Sequence, residues 1–281
     1  RHLEENPNFL FVEGDVLDGS ALEPLVRAAD FVYHLAAAVG AEMVVKHPLR
    51  SFLVNLKGTE EVLQLASRNG IPVLLASSSE IYGKNDSLPF SEEDDRVYGS
   101  VYNMRWGYAF SKGADEFLAL AYWKEKKTPV IIVRLFNVIG PRQTGAYGMV
   151  VPRFIQQALA KEPMSVYGDG KQTRCFIDVK EVVSVLPKLA NCPQAIGQVV
   201  NLGSEEEISI GKLAEEIKRL TDSSSEIQYI PYEAAYGKNF AEMMRRKPDM
   251  RKMKQFIGYE PRISLQESLG RIIVALRALK A

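Results

Sequence analysis

The chain predicts an α/β fold: a doubly wound parallel sheet with a smaller α+β lobe. Two patterns carry this. Apolar strand-like runs alternate with helix-period segments up to Asn137, the order that gives a parallel sheet covered by helices on both faces. Beyond Asn137 the strands become short and the helices no longer alternate with them regularly. At 281 residues the chain can bury a sizeable core in one large or two closely joined units.

Taken in order, Phe9–Val12, Phe31–Leu35, Val73–Ser77 and Val130–Leu135 read as strands of the main sheet. Leu53–Asn69 and Ala109–Lys126 carry helical periodicity between them. Pro152–Lys161 reads as a helix, Met164–Val166 and Cys175–Ile177 as short strands. Val199–Leu202 returns to the main sheet. Ile210–Thr221, with Ser209 as its N-cap, and Leu265–Leu279 close the chain as helices. The first domain therefore takes residues 1–137 with about 179–203, and the second takes 138–178 and 204–281.

Composition excludes several classes. Lys+Arg and Asp+Glu are balanced at 35 each, so no global field favours nucleic acid or an anionic membrane. The longest largely apolar stretch, Phe31 to Val45, contains His34 and Glu42 and is too short to span a bilayer. Cys175 and Cys192 lack metal-site spacing and read as reduced thiols, which with no visible secretory signal points to a cytoplasmic protein. No metal site is expected.

Tyr108 and Lys112 carry the first chemical signal. Four residues apart on a helix, a phenol and an ammonium share one face. A phenol ordinarily ionises near pH ~10, and a cation beside it favours the phenolate. Such a tyrosine can take a proton from a substrate hydroxyl as hydride leaves the same carbon. Alone, this spacing also arises on amphipathic helices. The second signal is Val73-Leu-Leu-Ala-Ser-Ser-Ser-Glu-Ile-Tyr-Gly83, a strand that delivers Ser77, Ser78 and Ser79 to its carboxyl end, where open α/β sheets bind ligands. A serine-rich turn is the plainer reading of that segment by itself; beside Tyr108 and Lys112 the functional reading prevails.

With these motifs the chain resembles the extended short-chain dehydrogenase/reductases of the NAD-dependent nucleotide-sugar epimerase, dehydratase and decarboxylase group. The resemblance runs from about Phe9 to the C-terminus. Further motifs agree in order: Phe31-Val-Tyr-His-Leu-Ala-Ala-Ala38, Asn55-Leu-Lys-Gly-Thr59, Arg134-Leu-Phe-Asn-Val-Ile-Gly-Pro-Arg142 and Tyr167-Gly-Asp-Gly-Lys-Gln-Thr-Arg-Cys-Phe-Ile-Asp-Val179, the last matching a nucleotide-clamping hairpin. The resemblance implies a Rossmann-type sheet in which Phe9–Val16 is the third strand. The family's opening glycine-rich turn is absent here, as is the acid expected after its second strand. The chain is accordingly expected to be an incomplete record of a longer protein.

The resemblance implies NAD as cofactor. Asp15 and Val16 would meet the adenine, with Leu35, Ala36 and Ala37 lining the dinucleotide and Asn55 fixing the backbone around it. Ser77, Tyr108, Lys112 and Phe136 would lie at the nicotinamide end, Lys112 also lowering the Tyr108 pKa. Ser78, Tyr108, Lys112 and Glu80 would form the catalytic set. Ser78, Ser79, Asn137, Val150, Tyr167, Arg174, Arg246 and Asp249 would hold a UDP-sugar, a dTDP-sugar being possible on the same grounds. Helices 53–69 and 109–126 would pair two copies as a four-helix bundle, giving a homodimer.

The resemblance leaves the reaction open. Oxidising sugar C4 prepares epimerisation, dehydration or decarboxylation alike. Dehydratases carry an Asp-Glu pair where this chain has Ser79-Glu80, which argues against dehydration. The expectation adopted is a UDP-hexose 4-epimerase acting on UDP-glucose or UDP-glucuronate. UDP-glucuronate decarboxylase is the alternative, since Ser79-Glu80 with Arg246-Lys-Pro-Asp249 looks like those enzymes. A non-catalytic nucleotide-sensing relative is the third reading.

Overall fold

The computed structural model describes residues 3, 5–145, 149–236 and 242–278. In chain order it comprises α1 (Gly19–Arg27), β1 (Val32–His34), α2 (Ala41–Lys46), α3 (Pro48–Asn69), β2 (Val73–Ser78), α4 (Arg105–Lys126), β3 (Val130–Leu135) and β4 (Asn137–Ile139). There follow α5 (Val150–Ala160), β5 (Met164–Tyr167), β6 (Thr173–Asp178), α6 (Val179–Ala190), β7 (Gln198–Leu202), β8 (Glu207–Ser209) and α7 (Ile210–Thr221). The chain closes with β9 (Ile227–Ile230), α8 (Tyr232–Tyr236), α9 (Arg251–Ile257) and α10 (Leu265–Ala278).

The main sheet has the order β1-β2-β3-β7, every pair parallel. Its central strands are near-continuous apolar runs because helices cover both faces. On one face, Leu63, Ala66 and Ala119 from α3 and α4 pack on Val73, Leu75 and Ile132. On the other, Val185 and Leu189 of α6 pack with Leu74, Ile131 and Val133. A separate core joins α5, α7 and α10 around Phe154, Leu213 and Leu269. Beside it lie the sheets β4-β6-β8 and β5-β9.

Local chemistry sets the element ends. Pro48 opens α3, its fixed φ suiting the first helical position, five residues before the start the periodicity suggested. Gly70 closes that helix at φ 68, in the left-handed region that glycine tolerates. Ser209 caps α7 by accepting from the Lys212 N–H at 3.3 Å. α4 begins at Arg105 rather than Ala109, so Tyr108 and Lys112 both lie inside it.

Two expectations are corrected. Phe9–Val12 forms no strand: no described strand pairs with it, and its side chains are exposed, Leu10 by 80%. A strand's backbone groups need a ladder partner, and here the segment has none. Tyr167–Val179 is not a hairpin either. β5 pairs in parallel with β9, while β6 pairs with β4 and β8. Gly168 and Gly170, at φ 76 and 73, turn the chain between β5 and β6 so that the two strands enter different sheets.

Candidate active site

A cavity of about 410 Å³ opens at the carboxyl ends of β1, β2 and β3, where the parallel sheet meets the second core. Leu35, Ala37, Ser77, Ser78, Ser79 and Glu80 line it from the sheet. Tyr108 and Lys112 enter from α4, and Phe136, Asn137 and Val150 from the crossing chain. Tyr167, Arg174 and Arg246 close the far side. Residues scattered over more than two hundred positions thus share one space.

Five of the singled-out residues do not line it: Asp15, Val16, Ala36, Asp249 and Asn55. Asp15 is exposed, its carboxylate accepting from the Leu17 N–H at 3.0 Å. Val16 packs against Gly58 of α3, where a Cβ would come within 2.8 Å of it. Neither has a strand beneath it to carry it to the sheet end. Ala36 is exposed just outside. Asp249 is the fourth. The bridge between Phe90 and Pro248 extends this segment. An odd number of residues from Arg246, Asp249 turns away and grips Arg251 at 2.5 Å.

Asn55 acts from behind the wall. Its side chain accepts from the Ala38 N–H at 2.7 Å and donates to the Ala38 carbonyl at 3.4 Å, pinning the turn after β1. It also donates to Ser111 of α4 at 3.2 Å. Ser77 donates to the buried Glu116 at 2.6 Å. Ser78 caps the turn after β2, accepting from the Glu80 N–H at 3.2 Å, and hydrogen-bonds the Tyr108 phenol.

The electrostatics depart from what the spacing of Tyr108 and Lys112 suggested. The Lys112 ammonium, almost fully buried, sits 2.9 Å from Asp115 one turn along α4. Burial, and then the nearby Glu80 charge, push the Tyr108 phenol up rather than down. Lys112 is ion-paired within its own helix in this state. Below it, burial and the Lys112 charge lower the buried His34, which shares a hydrogen bond of 3.2 Å with Thr59, to about 4.

Opposite the phenol stands a cluster of five charges. Arg246 reaches Glu80 at 3.3 Å, Asn137 Oδ1 at 3.3 Å and Ser79 Oγ at 3.5 Å. Arg105 approaches Glu80 at 3.8 Å and Glu242 at 2.8 Å, and Arg174 also meets Glu242 at 2.8 Å. Burial alone would raise Glu80, but Arg105, Arg246 and Arg174 outweigh it and hold the carboxyl below its usual range. Burial and the Arg174 charge bring Arg246 down to about 10. The guanidinium of Arg153 lies 4.1 Å from the Tyr167 ring centre.

Arg105 and Glu242 escaped the sequence reading. Arg105 had a usable signal, standing three residues before Tyr108 and hence on the same helical face. Glu242 had none, because nothing local marks a loop acid that meets arginines far away in the chain.

A profile of the NAD dependent epimerase/dehydratase family matches residues 1–203. The chain belongs to that family. It is 40% identical over 281 residues to a UDP-N-acetyl-alpha-D-glucosaminuronate decarboxylase of Bacillus cytotoxicus, covering 99% of this chain and 86% of that one. It is 38% identical over 274 residues to UDP-glucuronic acid decarboxylase 1 of Xenopus tropicalis, covering 97% of this chain and 61% of the frog protein. Among solved structures, UDP-glucuronic acid 4-epimerase from Bacillus cereus, in complex with UDP-glucuronic acid and NAD, superposes with a TM-score of 0.88 at 26% identity. That match covers 99% of this chain and 84% of the epimerase. The family's Rossmann-type parallel sheet is thus the fold of this enzyme too. No helix among the described residues is long and apolar enough to cross a membrane.

Proposed function

We propose that the protein is an NAD-dependent decarboxylase of a UDP-linked sugar acid, working through transient oxidation at sugar C4. One observation carries the choice of reaction: Glu80 lines the same cavity as Tyr108, near enough for its charge to raise the phenol, and Arg105 and Arg246 hold it ionised. A 4-epimerase, the reading adopted from sequence, inverts C4 alone and has no use for a carboxylate poised there. The two decarboxylases, at 40% and 38% identity, support the same choice.

The donor set suits the nicotinamide-ribose end of NAD. A buried ammonium and a phenol one turn apart face the small side chains of Ala37 and Ala76, with Ser77, Leu35 and Phe136 around them. Lys112, Tyr108 and the turn pinned by Asn55 would hold that end. When bound, NAD supplies the hydride acceptor for C4 and later returns the hydride. Tyr108 takes the C4 hydroxyl proton, and Ser78, already hydrogen-bonded to the phenol, steadies the substrate oxygen. Lys112 must then serve the phenol and ribose as well as Asp115. With C4 a ketone, the C5 substituent is a β-keto acid. Its C5–carboxyl bond breaks, CO2 leaves, and the electron pair passes to the C4 oxygen as an enolate. Glu80 relays a solvent proton to C5, the electron pair returns from the oxygen to form the C5–H bond, and the C4 ketone re-forms. Asn137, Val150, Tyr167, Arg174 and Arg246, on residues 138–178 and 204–281 with their junction, hold the UDP and sugar.

Incubation with NAD and either UDP-glucuronate or UDP-N-acetylglucosaminuronate tests this. The expected product lacks the carboxyl carbon. A C4 epimer that keeps its carboxyl would restore the epimerase reading, and tight binding without turnover would favour a nucleotide sensor. The same reading carries a homodimer through α3 and α4, where Phe110, Phe117 and Trp123 are exposed on α4. Light scattering at micromolar concentration is expected to give the dimer mass, and a monomer would refute the pairing.

A further inference from the structure

We propose that Arg105 recognises the carboxylate on the substrate's sugar, and that Glu242 holds that carboxylate's place in the free protein. The inference rests on the decarboxylase reading above and names the residue that selects an acidic sugar over a neutral one.

Position comes first. Arg105 opens α4 three residues before Tyr108, so the two side chains share a helix face one turn apart. Both line the cavity. If the phenol acts at C4, the carboxylate hangs from the next ring carbon. A guanidinium one turn from the phenol is placed to meet it. Arg174 and Arg246 already hold the UDP and sugar under the proposed function, and Arg105, the third guanidinium of the cavity, has no role there.

The observed contacts show how Arg105 treats a carboxylate. One oxygen of Glu242 lies 2.8 Å from Arg105 and 2.8 Å from Arg174, a single acid bridging two forks. The Glu242 side chain is only 14% exposed and reaches in from a loop, not from a helix or strand. A carboxylate delivered by a ligand can make the same bridge once that loop acid withdraws.

Charge balance points the same way. Three guanidiniums, of Arg105, Arg174 and Arg246, face two carboxylates, of Glu80 and Glu242, within a largely buried cluster. The Arg246 Nε is buried with no hydrogen-bond partner among the described residues. Among these five described side chains the guanidiniums outnumber the carboxylates by one, and burying unbalanced charge is costly. An arriving sugar carboxylate cancels it. A neutral hydroxymethyl group does not.

Titration calorimetry on the full chain with saturating NAD tests the assignment, using UDP-glucuronate, UDP-glucose and UDP as ligands. The wild type is expected to prefer UDP-glucuronate over UDP-glucose. Arg105→Met should cut that preference about 10- to 100-fold, the range for losing one charged hydrogen bond, while UDP binds as before. Glu242→Gln should increase the preference by removing the competing carboxylate. If Arg105→Met weakens all three ligands alike, or Glu242→Gln leaves the preference unchanged, the assignment falls. Should Arg105→Met not fold, Arg105→Lys, which keeps the charge and loses the fork, decides with Glu242→Gln. Wild-type protein that prefers the acid yet releases no CO2 would sink the decarboxylase reading alone.

Discussion

Behind the serine-rich end of β2, Glu116 is sealed from solvent and fully engaged. Arg134 grips it with two parallel bonds of 3.0 and 2.9 Å, Arg96 adds one at 2.5 Å and Ser77 another at 2.6 Å. Arg134 continues to the Tyr82 hydroxyl at 2.9 Å, and that hydroxyl to Asn201 at 2.7 Å. In front of the same strand end, Glu80 and Glu242 meet three arginines through longer or shared contacts, and the Arg246 Nε has no partner among the described residues. Both clusters are ionic and largely buried. The rear one is satisfied on every face and ties α4 to β2 and β3. The front one is open on its cavity side. A closed network fixes geometry, whereas an open one can exchange partners with a ligand.

Breaking each cluster should therefore read out differently. The largest effect belongs to the phenol that the front cluster faces. Tyr108→Phe is expected to lower turnover by about 10²–10⁴-fold with the fold intact, judged by steady-state rates beside circular dichroism. Near-normal turnover would remove Tyr108 from the chemistry. The rear cluster should fail as structure. Glu116→Ala leaves Arg134 buried without its partner and is expected to cost about 3–5 kcal/mol, read by urea unfolding. A loss under about 1 kcal/mol would mean that the network is not closed as described.

A smaller effect tests the ground between the clusters. His34 is buried on the flank of Lys112, its folded pKa near 4 against an ordinary 6.5. The unfolded chain then binds the extra proton first as pH falls. Stability should drop between about pH 6.5 and 4, by on the order of 3 kcal/mol at most. His34→Gln should flatten that window in unfolding midpoints, and an unchanged slope would show that the fold does not lower the histidine's pKa.

Much of this arrangement was legible in the chain. β2, β3 and β7 stood out because strands buried on both faces are continuous apolar runs, and α7 was placed from its Ser209 cap and period. Tyr108, Lys112 and the Ser77–Glu80 run met in the cavity because each sits at a strand end or on one helix face. Other features lay beyond local reading. The Lys112–Asp115 pair competes with the phenol through a contact that spacing allowed but did not select. Asp249 fails to join Arg246 because a backbone bridge to Phe90 sets the register there. The rear network joins residues from Ser77 to Asn201, and no local pattern announces such a closure.

The account turns on Glu80, a carboxylate that decarboxylation uses and C4 inversion does not. The most direct measurement supplies UDP-glucuronate labelled at the carboxyl carbon to wild type and to Glu80→Ala, collecting CO2 and analysing the nucleotide sugar. The expected result is labelled CO2 from the wild type and a loss of at least about tenfold in its release in the variant, 1.4 kcal/mol or more in barrier. Label retained in a C4-inverted UDP-sugar, formed at similar rates by both proteins, would contradict it.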